Sequence, residues 1–159
     1  MIRLASLIVL VLVACSGSPG GPNMNNHIGA PDPVAQSSDV VSADILSREP
    51  VANTAQVKHI LIGWKDTDGS DARKEKRTKA DAEALVKSLM TQIKAGADFD
   101  MLMKQHSEDP GSAANARAYP VSPDAQLVIE FKQLSLRLNV TEVGVVQSDY
   151  GFHIIKRVE

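Results

Sequence analysis

The sequence is short of the residues on which several classes of protein depend. It has one cysteine, Cys15, which excludes a disulfide within the chain and a metal site built from several cysteines. Aromatic residues make up 4%, so a core must consist mainly of Leu, Ile, Val, Met and Ala. The formal net charge of −2 is too close to neutral to indicate a nucleic-acid partner. A chain of 159 residues has room for one domain and a tail.

The first apolar run is too short to cross a membrane. Residues 4–13 follow the positive charge of Arg3, and about ten residues is half of the roughly 20 that a spanning helix needs. This pattern is typical of a signal peptide over residues 1–14. The run ends in Leu-Val-Ala-Cys, which resembles the lipobox of bacterial lipoproteins. That resemblance implies cleavage before Cys15 and a lipid on its thiol.

A lipid on Cys15 would attach the protein to a membrane surface without a spanning helix. Loss of Arg3 with the signal peptide takes the formal charge from −2 to −3. We therefore expect a location in the bacterial cell envelope. The membrane would be an outer membrane, with the protein facing the periplasm, or the cell membrane, with the protein on its outer face.

The segment after Cys15 has the composition of a tether. Residues 16–33 are rich in Gly, Pro, Ser and Asn and show no apolar period, so they cannot bury enough apolar area to offset their chain entropy. Residues 39–53 have more pattern and are compatible with a short helix or a docking strand. We place the domain boundary near residues 51–56, which predicts a lipid-anchored flexible tether over 15–52 and a folded domain over 53–159.

The predicted domain alternates strand and helix patterns. Thr78, with Asp81 three residues later, is close to a capping box and predicts the start of a helix. Asp98 predicts the start of a second, short helix. The sequence Asp109-Pro110-Gly111-Ser112 is typical of a turn. The predicted strands are Gln56–Trp64, Val143–Gln147 and Phe152–Val158, and a third helix covers Ala125–Leu138. This order predicts an α+β fold, with a small, mainly antiparallel sheet and about three to four helices packed on it.

Two histidines lie in the middle of predicted strands. His59 shares a strand face with Leu61, and His153 shares one with Ile155, because side chains alternate along a strand. The two could be core histidines that satisfy each other's hydrogen bonds. Their places in the first and last strands, both within apolar runs, favour a shared site. Two buried imidazoles cannot both be charged, so we expect a neutral pair with Ser148 as a neighbouring hydroxyl.

The sequence offers no convincing nucleophile with a base and no metal-ligand spacing such as His-Glu-x-x-His. We therefore expect no metal and no cofactor. The basic run from Arg73 to Arg77 is interpreted as a solvated face next to a charged helix. A chemistry that needs neither nucleophile nor metal would suit this chain.

The order of motifs resembles the parvulin family of peptidyl-prolyl cis/trans isomerases. Val57-Lys58-His59-Ile60-Leu61-Ile62 resembles the family's opening strand, residues 99–112 (FDMLMKQHSEDPGS) its Asp-containing segment, and the ending YGFHIIK its closing strand. The resemblance covers residues 56–158 and implies the parvulin-like variant of the FKBP-like superfold. The resemblance also implies two sets of site residues. The catalytic residues would be His59, Asp109, His153 and Ser148, and the walls of a proline pocket would be Phe131, Leu127 and Tyr119.

The sequence departs from the family pattern at two places. Residues 115–120 (NARAYP) stand where the family has a glycine-rich stretch, whose pocket-lining leucine is best matched by Tyr119, or by Ala118 if the gap falls differently. Thr141 stands where a glycine is usual. These changes imply a different backbone path along the rim of the pocket.

The resemblance implies isomerisation of X–Pro bonds, with unfolded or partly folded exported proteins as partners and no nucleic acid. Two rival functions remain open from the sequence. One is a weakly active or inactive peptide-binding chaperone or adaptor of the same fold, which the altered residues 115–120 favour. The other is a purely structural envelope lipoprotein, which the pair of mid-strand histidines disfavours.

Overall fold

The computed structural model describes residues 38–159, which form a four-stranded antiparallel sheet with helices on both faces. The strand order is β2-β1-β4-β3. The elements are α1 (Ala43–Leu46), β1 (Ala55–Ile62), a 3₁₀ turn (Lys74–Lys76), α2 (Lys79–Lys94), α3 (Phe99–His106), α4 (Pro110–Asn115), β2 (Tyr119–Val121), α5 (Ile129–Ser135), β3 (Val143–Ser148) and β4 (Gly151–Arg157). The predicted α+β class is confirmed. The predicted signal peptide, Cys15 and most of the predicted tether lie outside the described residues.

The longest helix begins and ends where the sequence predicted. The Asp81 N–H donates to the Thr78 hydroxyl (3.2 Å) while the Thr78 N–H donates to the Asp81 carboxylate (3.0 Å), a complete capping box. Gly96 follows the helix with φ +92°, a conformation that glycine adopts without steric cost. Asp98 caps α3 by accepting the Met101 N–H at 2.8 Å. No helix within residues 38–159 has the length and apolarity to span a bilayer.

The sheet separates two apolar cores. Helices α2 and α3 cover one face, where even-numbered residues of β1 and β4 such as Ile60 and Ile154 are fully buried. Helices α1 and α5 belong to the core on the other face, with Val57 and Ile155. His59 and His153 are odd-numbered residues of the same two strands. Because side chains alternate along a strand, both histidines point toward the face that α5 covers.

The segment before β1 is part of the folded unit, unlike the predicted tether. Ser42 covers the outer edge of β3, because its N–H donates to the Val145 carbonyl (2.9 Å) and its hydroxyl accepts the Val145 N–H (3.0 Å). Ile45 is buried in the α5-side core with 4% of its surface exposed. Arg48 forms an ion pair of 2.8 Å with Glu142. Folded structure thus begins no later than Ser38, earlier than the boundary predicted near residues 51–56.

The predicted third helix is shorter than expected. It covers Ile129–Ser135 in place of Ala125–Leu138, because Val128 is extended (φ −58°, ψ 145°) and Leu136 ends the helix. The residues before Ile129 form an irregular segment. Leu127 and Val128, within that segment, line the cavity described below.

Candidate active site

The two mid-strand histidines lie side by side in the middle of the sheet. In the β1–β4 pairing His153 faces Leu61 and His59 faces Ile155, which sets the two imidazoles diagonally across the ladder. Their Nδ1 atoms are 3.4 Å apart, and the rings are stacked with centroids 5.5 Å apart. Both side chains are buried. The closeness that strand alternation predicted is present.

Asp109 contacts His59 at Nε2, the ring nitrogen that does not face His153. The segment predicted as a turn is the start of helix α4, with Asp109 as its N-cap: the Ser112 N–H donates to Oδ2 at 2.7 Å. Pro110 suits the first helical position because the amide hydrogen it lacks would have no helical partner there. His59 Nε2 lies 3.5 Å from the same oxygen, and the Tyr119 hydroxyl donates to it at 2.7 Å.

Ser148 extends the array at the other end. Its Oγ lies 2.7 Å from His153 Nε2 and accepts the backbone N–H of Tyr150 at 3.2 Å. The four predicted catalytic residues therefore form one continuous line, listed from end to end as Ser148, His153, His59 and Asp109.

The charge of Asp109 sets the direction of the hydrogen bond at its end of this line. Its hydrogen bond with His59, and further ones with Ser112 and Tyr119, lower the pKa of the carboxyl well below its usual range against the opposing effect of burial. An ionised carboxylate only accepts, so His59 must donate from Nε2. The Nδ1 atoms of His59 and His153 share the next hydrogen bond, and His153 Nε2 shares the last one with the Ser148 hydroxyl.

His153 is held neutral by its surroundings. Burial is the main cause that lowers its pKa from 6.5 to about 3, and the neighbouring His59 lowers it further, while Asp109 opposes the change. Burial disfavours the charged form because the protein interior solvates an imidazolium poorly. His153 is therefore a neutral hydrogen-bonding partner of His59 near neutral pH.

An open cavity of about 250 Å³ lies against this array. Its walls include the three predicted pocket residues, Phe131, Leu127 and Tyr119. His59, Asp109 and His153 also line it, and the other four lining residues were not predicted as site residues from the sequence: Leu61, Gln126, Val128 and Tyr150. Two of them had a usable sequence signal, because Leu61 shares a strand face with His59 and Val128 lies on the same predicted helix stripe as Phe131.

Phe131 joins the pocket wall to the core. Its ring meets both imidazoles edge to face, with centroids 5.0 Å from His59 and 5.5 Å from His153. It is 3% exposed and belongs to the core on the α5 side of the sheet. The ring therefore also keeps water from one side of the histidine pair.

A family model described as the PPIC-type PPIASE domain matches residues 44–159, nearly all of the described chain. The chain belongs to this family of parvulin-type peptidyl-prolyl isomerase domains. The match begins within α1, in agreement with the packing of the segment before β1.

Two named relatives are similar to this parvulin domain over part of their length. Foldase protein PrsA of Geobacillus kaustophilus is 39% identical over 75 residues, which cover 46% of this chain and 27% of the relative. Chaperone SurA of Pseudomonas aeruginosa is 35% identical over 111 residues, which cover 67% of this chain and 24% of the relative. The matched part is thus about a quarter of each of these relatives.

Solved structures show the same architecture. Peptidylprolyl isomerase PrsA from Bacillus cereus has a TM-score of 0.52 at 28% identity, covering 76% of this chain and 39% of that one. Peptidyl-prolyl isomerase ESS1 from Candida albicans has a TM-score of 0.60 at 20% identity, covering 67% and 63%. The second likeness shows the fold alone.

The basic run of this parvulin domain is a solvated face only in part, because Arg73, Glu75 and Lys76 are exposed whereas Lys74 and Arg77 are not. Arg77 forms an ion pair of 2.5 Å with Glu108, and the two side chains are 16% and 3% exposed. Arg77 also donates to the Gly63 carbonyl at 2.7 Å, and buried Lys74 donates to the Thr67 carbonyl. Because Glu108 directly precedes Asp109, this ion pair helps to hold the start of α4 in place.

Both departures from the parvulin pattern occur where the backbone is left-handed. Ala116, within the stretch that replaces the family's glycines, has φ +49°, and Thr141 has φ +72°. A side chain costs energy in this region, most of all a β-branched one. The backbone is therefore left-handed at Ala116 and Thr141 although neither residue is glycine, which favours this conformation.

Proposed function

We propose that this chain catalyses the cis/trans isomerisation of X–Pro bonds in exported proteins at the bacterial cell envelope. The observation that carries the proposal is the lining of the cavity, which combines a wall of apolar side chains with three members of the polar line, His153, His59 and Asp109. A proline ring fits such a wall, and its preceding amide would then lie beside the polar line. Membership of the parvulin family agrees with this activity.

The reaction needs no covalent chemistry. Rotation about an X–Pro bond faces a barrier of about 18–20 kcal/mol, because the amide loses its resonance in the twisted state. A catalyst has to bind the twisted amide more tightly than either planar form. The twisted amide is less polar than the planar one, so an apolar cavity that excludes water favours it.

In this mechanism the protein holds the ring and surrounds the rotating carbonyl. Phe131 and Leu127 would grip the pyrrolidine ring. His59 and Asp109 would present fixed polar groups to the carbonyl as it turns. His153 and Ser148 would hold His59 in its orientation, so that the polar groups need no reorganisation during rotation.

The cell-envelope location rests on the sequence before the folded domain. A lipid on Cys15 would hold the protein at a membrane surface, where exported chains pass in an unfolded state. The names of the two relatives, a foldase and a chaperone, agree with such clients. No nucleic acid and no cofactor enters the proposal.

One observation favours a second candidate, a parvulin domain that binds proline peptides without isomerising them. Tyr119 stands where the family has an apolar residue, and its hydroxyl brings a polar group onto the wall of the cavity. A polar wall weakens the preference for the less polar twisted amide. This candidate predicts peptide binding without acceleration of exchange.

The test compares rates of cis/trans exchange in a proline tetrapeptide. Phe131→Leu removes the flat ring, and we expect it to lower kcat/KM by about tenfold or more while the domain stays folded. Asp109→Asn deletes the charge and keeps the size, and we expect a smaller loss. Leu134→Met is the matched control, since Leu134 lies on the same helix and in the same core but does not line the cavity.

A volume-conserving change such as Leu134→Met costs less than about 1.5 kcal/mol, so the control should keep the wild-type rate. Full activity in a folded Phe131→Leu variant would refute the assignment of the pocket. A wild-type protein that binds the peptide without speeding its exchange would favour the second candidate.

A further inference from the structure

The hydroxyl of Tyr119 reaches across the cavity wall to a charged group. Tyr119 begins β2, where it pairs with Val57 of β1. Its ring lies edge to face against His59, with centroids 5.2 Å apart, and its hydroxyl donates to Asp109 Oδ2 at 2.7 Å. A wall that only touched a proline ring would not need this hydroxyl.

The backbone of α4 leaves room for this contact at one residue. A Cβ built on Gly111 would lie 2.5 Å from the Tyr119 hydroxyl oxygen, closer than a Cβ packs against any heavy atom. Gly111 has no positive φ, so its own conformation does not require glycine. The absence of a side chain at residue 111 therefore serves the approach of Tyr119 to Asp109.

Three donors converge on one oxygen of Asp109. Oδ2 accepts the Ser112 N–H at 2.7 Å and the Tyr119 hydroxyl at 2.7 Å, and it lies 3.5 Å from His59 Nε2. Within residues 38–159, Oδ1 accepts no hydrogen bond. A carboxylate fixed through one oxygen keeps the other as an acceptor in a set direction.

We propose that Tyr119 is a positioning residue for isomerisation: its hydroxyl holds the Asp109 carboxylate in one orientation, with Oδ1 kept as the acceptor for an N–H group of the bound peptide. This inference rests on the proposed function. It gives Tyr119 a role beyond that of a pocket wall, because the ring alone would serve as a wall. The peptide then needs a free N–H near the isomerising bond.

The charges around the carboxylate agree with this role. His59 on β1 makes the hydrogen bond that most lowers the pKa of Asp109; burial opposes it, and Ser112 of α4 and Tyr119 of β2 lower the pKa further. Burial and the bond to Asp109 raise the pKa of Tyr119, so the phenol keeps its proton and stays a donor. Arg117, before β2, opposes that rise, and His153 on β4 is neutral.

The decisive variant is Tyr119→Phe, which keeps the ring and deletes the hydroxyl. We expect kcat for a proline tetrapeptide to fall about tenfold, the value typical of a lost charge-assisted hydrogen bond, with KM within about twofold of wild type. The pKa of the Asp109 carboxyl, followed by carbon-13 NMR, should rise. The acid limb of the pH–rate profile should move to higher pH with it, because isomerisation would need the ionised carboxylate.

Gly111→Ala tests the same contact from the other side. Its methyl group would displace the hydroxyl, so we expect the same loss in kcat and the same rise in the pKa of Asp109 while the tyrosine is retained. Thr91→Val is the control, since it deletes an exposed hydroxyl on α2, on the opposite face of the sheet, and should change neither quantity.

The proposal is overturned if folded Tyr119→Phe keeps the wild-type kcat, or if the pKa of Asp109 is the same with and without the hydroxyl. A loss confined to KM would also overturn it, since Tyr119 would then be a pocket wall alone. If the wild-type protein has no isomerase activity, the proposed function fails, and the carboxyl titration of the two variants decides the positioning role by itself.

Discussion

The buried, neutral His153 predicts a specific loss of stability in acid. His153 has its pKa lowered from 6.5 to about 3, chiefly by burial and also by the neighbouring His59. In the unfolded chain the same imidazole regains an ordinary pKa near 6.5. Between these two pH values the unfolded state binds a proton that the folded state does not, so acid favours unfolding. The stability that His153 contributes is complete above pH 6.5 and is lost as the pH falls toward 3.

The size of this effect follows from the difference in pKa. Each pH unit in the window is worth about 1.4 kcal/mol, so moving from pH 6.5 to 4.5 should lower the free energy of unfolding by roughly 2–3 kcal/mol. A domain of this size has about 5–15 kcal/mol in total, so the change is large enough to measure. Carboxyls with a lowered pKa, such as Asp109 and Glu142, lose their contribution only near and below pH 4.5.

Urea denaturation at pH 7, 5.5 and 4.5 measures the slope, and NMR titration of the imidazole signals assigns it. His106→Gln is the control, because burial and the charge of Arg73 also lower the pKa of His106, which therefore acts in the same direction. We expect this variant to keep most of the slope and His153 to show no titration above pH 4.5. A His153 signal that titrates near pH 6.5, or a flat stability profile, would refute the buried, neutral state of His153.

Three further perturbations test other parts of the account. Thr141→Gly should stabilise the domain by about 0.5–1 kcal/mol by thermal or urea unfolding, since a β-branched side chain at φ +72° is strained, and an unchanged stability would contradict that strain. A chain that starts at Val51 should be less stable than one that starts at Ser38 by at least about 2–3 kcal/mol, because it loses the buried Ile45 and the ion pair of Arg48. Equal stability of the two chains would restore the domain boundary predicted from the sequence. Cys15→Ser should abolish metabolic lipid labelling and leave an uncleaved or misplaced precursor, whereas labelling that persists would remove the lipid anchor.

Local patterns allowed much of the fold to be predicted. The capping box of Thr78 and the cap at Asp98 depend on residues within one helical turn, so the sequence contains both partners. Strand alternation placed His59 and His153 on buried faces, and their two strands are neighbours in the sheet. These features need no knowledge of distant contacts.

The features that were missed depend on partners far along the chain. Arg48 pairs with Glu142, 94 residues away, so the segment before β1 looked like a tether by its own composition. Arg77 looked solvated because its partner Glu108, 31 residues later, is buried on another element. Residues 109–112 have the composition of a turn. In the structure they begin helix α4, because the residues that follow continue the helical conformation.

The contacts between the two histidines and between His153 and Ser148 were expected from the sequence, whereas one further contact of the site was not. The seven residues that the parvulin resemblance implied all lie in the hydrogen-bonded line or the cavity wall. The bond from Tyr119 to Asp109 was not predicted, because the matching family residue is apolar and offers no donor. Chain-specific polar contacts of this kind require the positions of both side chains.

Exchange NMR on a short X–Pro peptide tests the central claim most directly. The uncatalysed cis and trans forms interconvert over tens of seconds or longer, so their signals do not exchange on the NMR timescale. Isomerase activity predicts exchange cross-peaks between the two forms at a protein concentration far below that of the peptide, with the cis fraction unchanged. Peptide signals that shift on binding while the two forms still fail to exchange would contradict it.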